Sequence, residues 1–335
     1  MGENSKIEWT DATVNFWWGC TKVGPGCDHC YAETWSKRTG PNIWGVGVPR
    51  RKIAGAVKLI HKLDNAYADW AADQACIVGN AKAFGLPVPH MGISRRVFIQ
   101  SMSDLFDTEV PIEWFAEAWG RIAVCNHLDI QIVTKRVSVV EKRLDTIGVD
   151  KWPSHAGLIV TVVNQAEAGR DIPRLLYLKQ KLGIPWVGLS IEPMLGGMNI
   201  AQWLPQIDWV IVGGESGGSA RPVHPAWVRS IRDQCAAVSV PFLLKQWGVW
   251  LVGERVDDAE GGFEHAKFQD GDEFHVVSDG HDIMFGAAED STEQKHLWRE
   301  YWADGAGNIA KRMGKKASGR LLDGIEHNGF PQVSA

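Results

Sequence analysis

The sequence predicts an α/β fold: a complete or partial parallel (β/α) barrel of about six to eight strands, with a helical insertion and a small C-terminal β-appendage. Three observations carry this. Short apolar runs rich in β-branched and aromatic residues recur along the chain, and amphipathic stretches separate them. The runs are nearly continuous in apolarity rather than alternating, as in strands covered on both faces. No GxGxxG follows the first of them, which disfavours a dinucleotide-binding doubly wound sheet.

NFWWGC (15–20) is expected to supply the first strand. VFIQSMSD (97–104), IQIVTKR (130–136), LIVTVVNQ (158–165), WVGLSIEP (186–193), WVIVGGES (209–216) and FLLKQWG (242–248) supply the rest, and each ends in polar or small residues. PIEWFAEAWGRIAVC places Ile112, Phe115, Trp119, Ile122 and Ala123 on one helical stripe, behind Pro111. DIPRLLYLKQKLG offers Asp171 as an N-cap and Gly183 as a stop, and HPAWVRSIRDQCAAVSV follows the same plan. Residues 40–96 read as a helical insertion within a barrel spanning 1–250. Residues 251–335 read as an appendage with strand-like pieces such as FHVV and a basic tail, KRMGKKASGRLLDG, packing on the barrel.

The chain has 335 residues, of which 45% are hydrophobic and 22% charged, enough apolar mass for one large core. A net charge of −5 argues against a uniformly basic nucleic-acid coat but leaves room for a local basic groove. No G-x-x-x-x-G-K-[ST] loop is present, so nucleoside triphosphate hydrolysis has no support. The opening MGENSKIEWTDATVNFWW lacks the apolar centre of a secretory signal, and no apolar run reaches membrane-spanning length. A cytoplasmic location without membrane partners is the expectation. In that reducing compartment, clustered thiols serve metals or catalysis rather than disulfides.

Such a cluster exists. CTKVGPGCDHCYAE places Cys20, Cys27 and Cys30 in a C-x6-C-x2-C pattern, with Gly24-Pro25-Gly26 inside the longer gap. Three thiolates can hold a [4Fe–4S] cluster and leave one iron without a protein ligand. The alternative is a structural zinc site that completes its four ligands with His29 or a distant residue. Cys76, Cys125 and Cys235 are isolated in helix-like sequence and read as packing residues.

In parallel barrels the chemistry collects at the C-terminal ends of the strands. Those ends carry Ser101, Ser103 and Asp104, then Lys135 and Arg136, Asn164, Glu192, Gly213, Gly214 and Glu215, and Lys245. Thr134, Gln165, Ser190, Ser216 and Gln246 lie beside them. The two glycines would let a ligand approach the backbone closely.

The cysteine loop resembles that of radical S-adenosylmethionine (SAM) enzymes, whose usual spacing is C-x3-C-x2-C; the first gap here is longer. A broader resemblance joins the loop to SMSDLF, TKR, SIEPMLG, WVIVGGESG, ARPVHPAWVRSIRDQC, PFLLKQWG and GKKASGRLLDG. Together they are similar to a phage and prophage family with a three-cysteine motif, often described as radical-SAM-like. The resemblance implies a radical-SAM-like barrel and a [4Fe–4S] cluster on Cys20, Cys27 and Cys30. It also implies SAM in the strand mouth and an external reductant. Lys135 or Arg136 would then pair the SAM carboxylate, and Glu192 or Glu215 the ammonium or ribose. Ser101 and Ser103 would bond the amino-acid portion. A phage setting suggests a nucleic acid or nucleotide as substrate. Two rival readings are a non-catalytic, zinc-stabilised nucleic-acid-binding protein and a metal-independent hydrolase using Glu192 and Glu215 as acid and base.

Overall fold

The computed structural model describes residues 2–40, 42–86, 94–257, 263–267, 273–275, 301–303 and 309–331. Seven strands form one sheet in unbroken chain order: β1 (Ala12–Val14), β2 (Arg95–Ile99), β3 (Leu128–Thr134), β4 (Ala156–Thr161), β5 (Val187–Ile191), β6 (Trp209–Gly213) and β7 (Phe242–Gln246). Every neighbouring pair is parallel. A doubly wound sheet reverses its order at a switch point, and this one never does. Crossovers of one hand then bring the helices to one face, and the sheet curls into an open (β/α) half-barrel with β1 and β7 at its edges.

The helices are α1 (Tyr31–Thr39), α2 (Ala56–Asn65), α3 (Tyr67–Ala83), α4 (Ile112–Val124), α5 (Val140–Thr146), α6 (Gln165–Leu182) and α7 (Pro225–Ala237). Strand residues alternate between two faces. Val97, Ile99, Ile130, Ile132, Leu158, Val160, Leu189 and Val212 join the main core with Ile60, Phe115, Ile122, Leu175 and Val228 of the helices. The residues between them, Phe98, Ile159, Trp209, Ile211 and Leu243, form a second cluster with Trp9 and Trp186 on the concave face. Both faces are covered, which is why the runs read as continuously apolar. Trp186 fills the space that a side chain at position 157 would need, since a Cβ on Gly157 would stand 2.0 Å from its ring.

Both sheet edges are blunted by added chain. Gly2 exchanges backbone hydrogen bonds with Thr13 of β1, and residues 327–329 pair with β7 through Leu244 and Phe242.

Three local expectations are revised. The first sheet strand is Ala12–Val14 rather than NFWWGC; Trp17–Trp18 instead pairs antiparallel with Arg51–Lys52 in a separate ribbon. Helix α6 starts six residues before Asp171, and Asn164 is its cap, accepting from the Glu167 N–H. Asp171 lies inside the helix and pairs with Arg170 and Arg174. The connection from β5 to β6 carries only a short 3-10 turn at Leu204–Gln206, with no α-helix.

The stretch read as an insertion supplies two helices, and α2 packs into the main core. Beyond β7, Trp250–Val252, Tyr301–Ala303 and Ile309–Arg312 form one antiparallel sheet, and Glu254–Asp257, Phe263–Lys267 and Glu273–His275 form another. Residues 276–300 of the expected appendage lie outside the described residues. The basic segment turns through a short helix, Lys315–Ser318, and returns to the barrel, where Trp247 donates its indole N–H to the Leu321 carbonyl at 2.7 Å.

Candidate functional site

The cysteine loop is built by tight backbone contacts. At Gly19, φ is +105° and a Cβ would stand 2.1 Å from the Ile43 carbonyl oxygen, so only glycine fits before Cys20. Pro25–Cys27 forms a 3-10 turn, and Cys30 caps α1, its carbonyl accepting from the Thr34 N–H at 3.1 Å. Gly26 lies against the end of β4: a Cβ there would approach Val163 to 2.7 Å and Lys135 to 3.6 Å.

Three arginines hold this loop over the strand ends. Arg136, just past β3, donates to Cys20 Sγ at 3.5 Å and to the Thr21 carbonyl at 2.7 Å. Arg221 donates to the Pro25 carbonyl at 2.9 Å while clamping Glu215 through Nε and a terminal nitrogen at 2.8 and 2.7 Å. Arg50 is fully buried against Asp107 at 2.8 Å and donates to Thr21 Oγ1 at 2.6 Å.

Cys20, Cys27 and Cys30 line a single cavity of about 410 Å³ at the C-terminal ends of the strands. That volume suits a small organic ligand. Its interior is lined by Ile7, Trp9, Phe98, Val133, Thr161 and Ser190, all uncharged. Lys135, Arg136, Glu192, Glu215, Lys245 and Lys315 also line it. The acids there are engaged: Glu192 with Lys245 at 2.5 Å, Glu215 with Arg221, and Asp104 with Thr134 Oγ1 at 2.8 Å and the Lys135 N–H at 3.0 Å. Among the described residues, Lys135 has no ion-pair partner, and it lies beside the cysteine loop.

Burial is the largest influence on the titration of Cys20, Cys30 and Asp104. It pushes the Cys20 thiol up to about 12, reinforced by Asp104 and opposed by Arg136. Burial also raises Cys30, opposed by the backbone N–H groups of Glu33 and Ala32 at the start of α1 and by Lys135. The Asp104 carboxyl is raised by burial against the pull of Arg136. A metal bound at these thiols would have to displace protons, so its affinity would rise with pH.

The donor set, three cysteines lining one cavity with Cys30 at the start of α1, has the chemistry of a thiolate-bound metal centre. Among the described residues, no three His, Cys, Asp or Glu side chains gather closely enough to hold a single ion. Also among them, no helix is long and apolar enough to cross a membrane.

Residues 4–331 match the family described as "Protein of unknown function (DUF5131)". The chain belongs to that family. A search of the curated proteins found no match. Among solved structures, the DUF5131 chain is similar to a spore photoproduct lyase variant with bound AdoMet and dinucleoside spore photoproduct. That match has 14% identity and a TM-score of 0.34, and covers 83% of this chain and 72% of the other. A second variant of that lyase gives 14% identity, TM-score 0.35 and the same coverage. The lyase complexed with dinucleoside spore photoproduct gives 14% and 0.34, again with the same coverage.

Of the strand-end residues singled out in this DUF5131 sequence, Ser101, Ser103, Asp104, Lys135, Arg136, Glu192, Gly214, Glu215 and Lys245 line the cavity. Ser101 accepts from the Asn15 side chain at 3.0 Å, and Ser103 Oγ lies 2.9 Å from the Trp17 carbonyl. Asn164 is not among the lining residues and caps α6 instead. Gly213 is likewise outside the lining, closed off by Glu192, whose carboxyl carbon a Cβ would meet at 3.3 Å. At Gly214 the close approach comes from the protein itself: a Cβ would fall 1.9 Å from the Trp247 carbonyl oxygen. His29 also lines the cavity.

Sequence reading missed Trp9, Tyr31, Gln100 and Thr161, all of which line the cavity. Tyr31 donates its hydroxyl to the Ser101 carbonyl at 2.6 Å, tying α1 to the end of β2. A signal existed for two of them. Gln100 and Thr161 are polar residues at concave-face parity, two positions beyond Phe98 and Ile159.

Proposed function

We propose that this chain is a radical-SAM-type iron–sulfur enzyme, with Cys20, Cys27 and Cys30 as cluster ligands and the cavity as the site for SAM and substrate. The observation that carries the reading is that all three thiols line one cavity at the C-terminal mouth of a parallel half-barrel. A cluster is wider than a single ion and can bridge thiols that do not converge on one point. When bound, the cluster and SAM would supply a 5′-deoxyadenosyl radical, with one electron from an external reductant, as the family resemblance implies.

The chain's own residues have separable tasks under this reading. Arg136 and Arg221 orient the cysteine loop. Lys135 offers a cation to the SAM carboxylate beside that loop. The Glu192–Lys245 pair presents both charges to polar ligand groups. The substrate is a nucleic acid or nucleotide. The barrel and its cysteine loop occupy residues 1–250, and residues 251–335 form an appended unit carrying the basic tail.

The test is anaerobic reconstitution followed by iron and sulfide analysis, then a search for 5′-deoxyadenosine on adding SAM and reductant. The expected outcome is about four iron and four sulfide per chain, lost when any of the three cysteines becomes alanine. A colourless protein holding one zinc, or iron content indifferent to those substitutions, would overturn the reading.

A further inference from the structure

Four uncharged buried polar atoms along this cavity find no hydrogen-bond partner among the described residues: Trp9 Nε1, Gln100 Nε2, Thr161 Oγ1 and Gln246 Oε1; Arg136 Nε, also on the lining, is a fifth such atom, but it faces the Asp104 carboxylate at 3.9 Å. All four residues line the cavity, and none is more than 4% exposed. They arrive from separate parts of the fold: the segment before β1, the end of β2, the end of β4 and the end of β7. A buried polar atom left unpaired costs roughly 1–3 kcal/mol, and native proteins hold few of them. Four in one cavity call for a ligand.

The chemistry of that ligand follows from the atoms. The Gln100 carbonyl oxygen accepts from the Phe16 and Trp17 N–H groups at 2.9 and 3.3 Å and lies 2.8 Å from Ser103 Oγ. The protein therefore fixes this amide so that its NH2 end is the free donor. Gln246 is tied at its nitrogen to Ser216 Oγ at 3.1 Å, which leaves its carbonyl as a free acceptor. Trp9 can only donate, and Thr161 can do either. Around them stand Ile7, Phe98 and Val133, with the Trp9 and Phe98 rings 4.7 Å apart. No member of this set is charged.

We propose that this floor recognises a neutral nucleobase of the substrate. Such a base offers flat apolar faces to Trp9 and Phe98. Its edge carries acceptors for Gln100 and Trp9 and an N–H for Gln246 or Thr161. A lipid chain would leave all four atoms unpaired. A phosphate would seek the cations, and one attached to the base would find Lys135 among the lining residues. The inference rests on the proposed function only in placing the substrate in this cavity.

The shared chemistry has a second source, the adenine of SAM, and the experiment separates the two. Calorimetry on the full chain, cluster-free and reconstituted, measures adenosine, guanosine, uridine, thymidine and their 5′-mononucleotides, with SAM and ribose as further arms. The key variant is Thr161→Val, which keeps the shape and removes the unpaired hydroxyl. We expect at least one nucleoside to bind where ribose does not, and Thr161→Val to weaken it about tenfold. SAM affinity stays unchanged, and the unfolding midpoint stays level or rises because an unsatisfied group is gone. Trp9→Phe, which keeps a ring and removes the N–H, is expected to weaken the same nucleoside.

Three results would overturn the inference. One is no nucleoside or nucleotide binding above the ribose arm. Another is unchanged affinity in both variants, which would assign the four atoms to buried water. The third is loss of SAM affinity with none for nucleosides, which would assign the floor to the cofactor. The cluster-free arm reads the floor without iron, so nucleoside binding by a protein that reconstitution fails to load would sink only the iron–sulfur reading. A loaded cluster with no base binding would sink only this one.

Discussion

Arg221 is the strap between two loops that sequence reading treated separately, and its removal gives a measurable prediction. Its guanidinium grips Glu215 with two bonds of 2.8 and 2.7 Å and reaches the cysteine loop at Pro25 and, at 3.3 Å, Asp28. The Glu215 side chain is only 4% exposed, whereas Arg221 is 32% exposed. In Arg221→Ala the carboxylate stays in its buried place and keeps only the backbone N–H of residue 221. Breaking a fully buried pair costs about 3–5 kcal/mol. Solvent around Arg221 reduces this, and we expect about 2 kcal/mol. For a chain of 335 residues that lowers the unfolding midpoint by about 3 °C. Glu215→Gln retains an acceptor and is expected to lose about 1 kcal/mol. The double variant should show a coupling of at least about 1 kcal/mol, since the two residues touch. Trypsin provides the local readout, because Lys22 lies in the released loop and should be cut faster in Arg221→Ala. Thermal unfolding within about 0.5 kcal/mol of the parent, together with an unchanged rate of cleavage at Lys22, would refute the strap.

Other perturbations test the same frame. Arg50→Ala removes the 2.8 Å partner of the fully buried Asp107 carboxylate, leaving it Arg136 at 3.7 Å and the Glu109 N–H, and should cost about 3 kcal/mol by urea unfolding, a larger loss than Arg221→Ala. Gly214→Ala drives a methyl group into the Trp247 carbonyl and should cost at least about 3 kcal/mol or abolish folding. Gly218→Ala, where nothing lies within 4 Å, should stay within about 0.5 kcal/mol in the same assay. Asp129 is raised to about 7 by burial, with Arg96 opposing and Asp11 adding to the rise. Its folded pKa exceeds its unfolded value, so the unfolded chain ionises first and stability falls as pH rises from about 4 to 7. Asp129→Asn should therefore gain on the order of 2 kcal/mol at pH 8 and nothing at pH 4. An equal gain at both pH values would point to packing instead.

The parallel sheet was legible because each strand carries its own signal. Val97–Ile99, Ile130–Ile132 and Val210–Val212 are buried from both sides, and a run of β-branched residues is the simplest way to fill both faces. The first strand was misplaced for a physical reason. In NFWWGC, Phe16 and Trp17 fill the main core and Trp18 packs in the cluster beside Cys20 and Cys30, with Trp17–Trp18 paired in a ribbon, while the sheet strand is the three-residue Ala12–Val14, too short to stand out. The cap of α6 was misassigned because Asp171 and Asn164 both offer capping chemistry. What decides is that β4 ends three residues before Asn164, and the helix begins directly after it.

The cavity was legible only in part, because its residues reach it by two different rules. Those past the strand ends, such as Lys135 and Glu215, follow from topology alone, since parallel strands deliver their C-termini to one mouth. Those within it follow from parity, and parity needs the strand's register. Once Phe98 and Ile159 are known to face inward, Gln100 and Thr161 must follow two positions on. On β2 and β4 the inner face thus passes from ring or branched carbon to an unpaired amide or hydroxyl. Beyond it come the ion pairs and the three thiols. A packed barrel would continue the carbon to the top. The interruption of that filling by neutral polar groups, beneath a mouth that carries both charge and sulfur, is the feature that separates a binding chamber from a core.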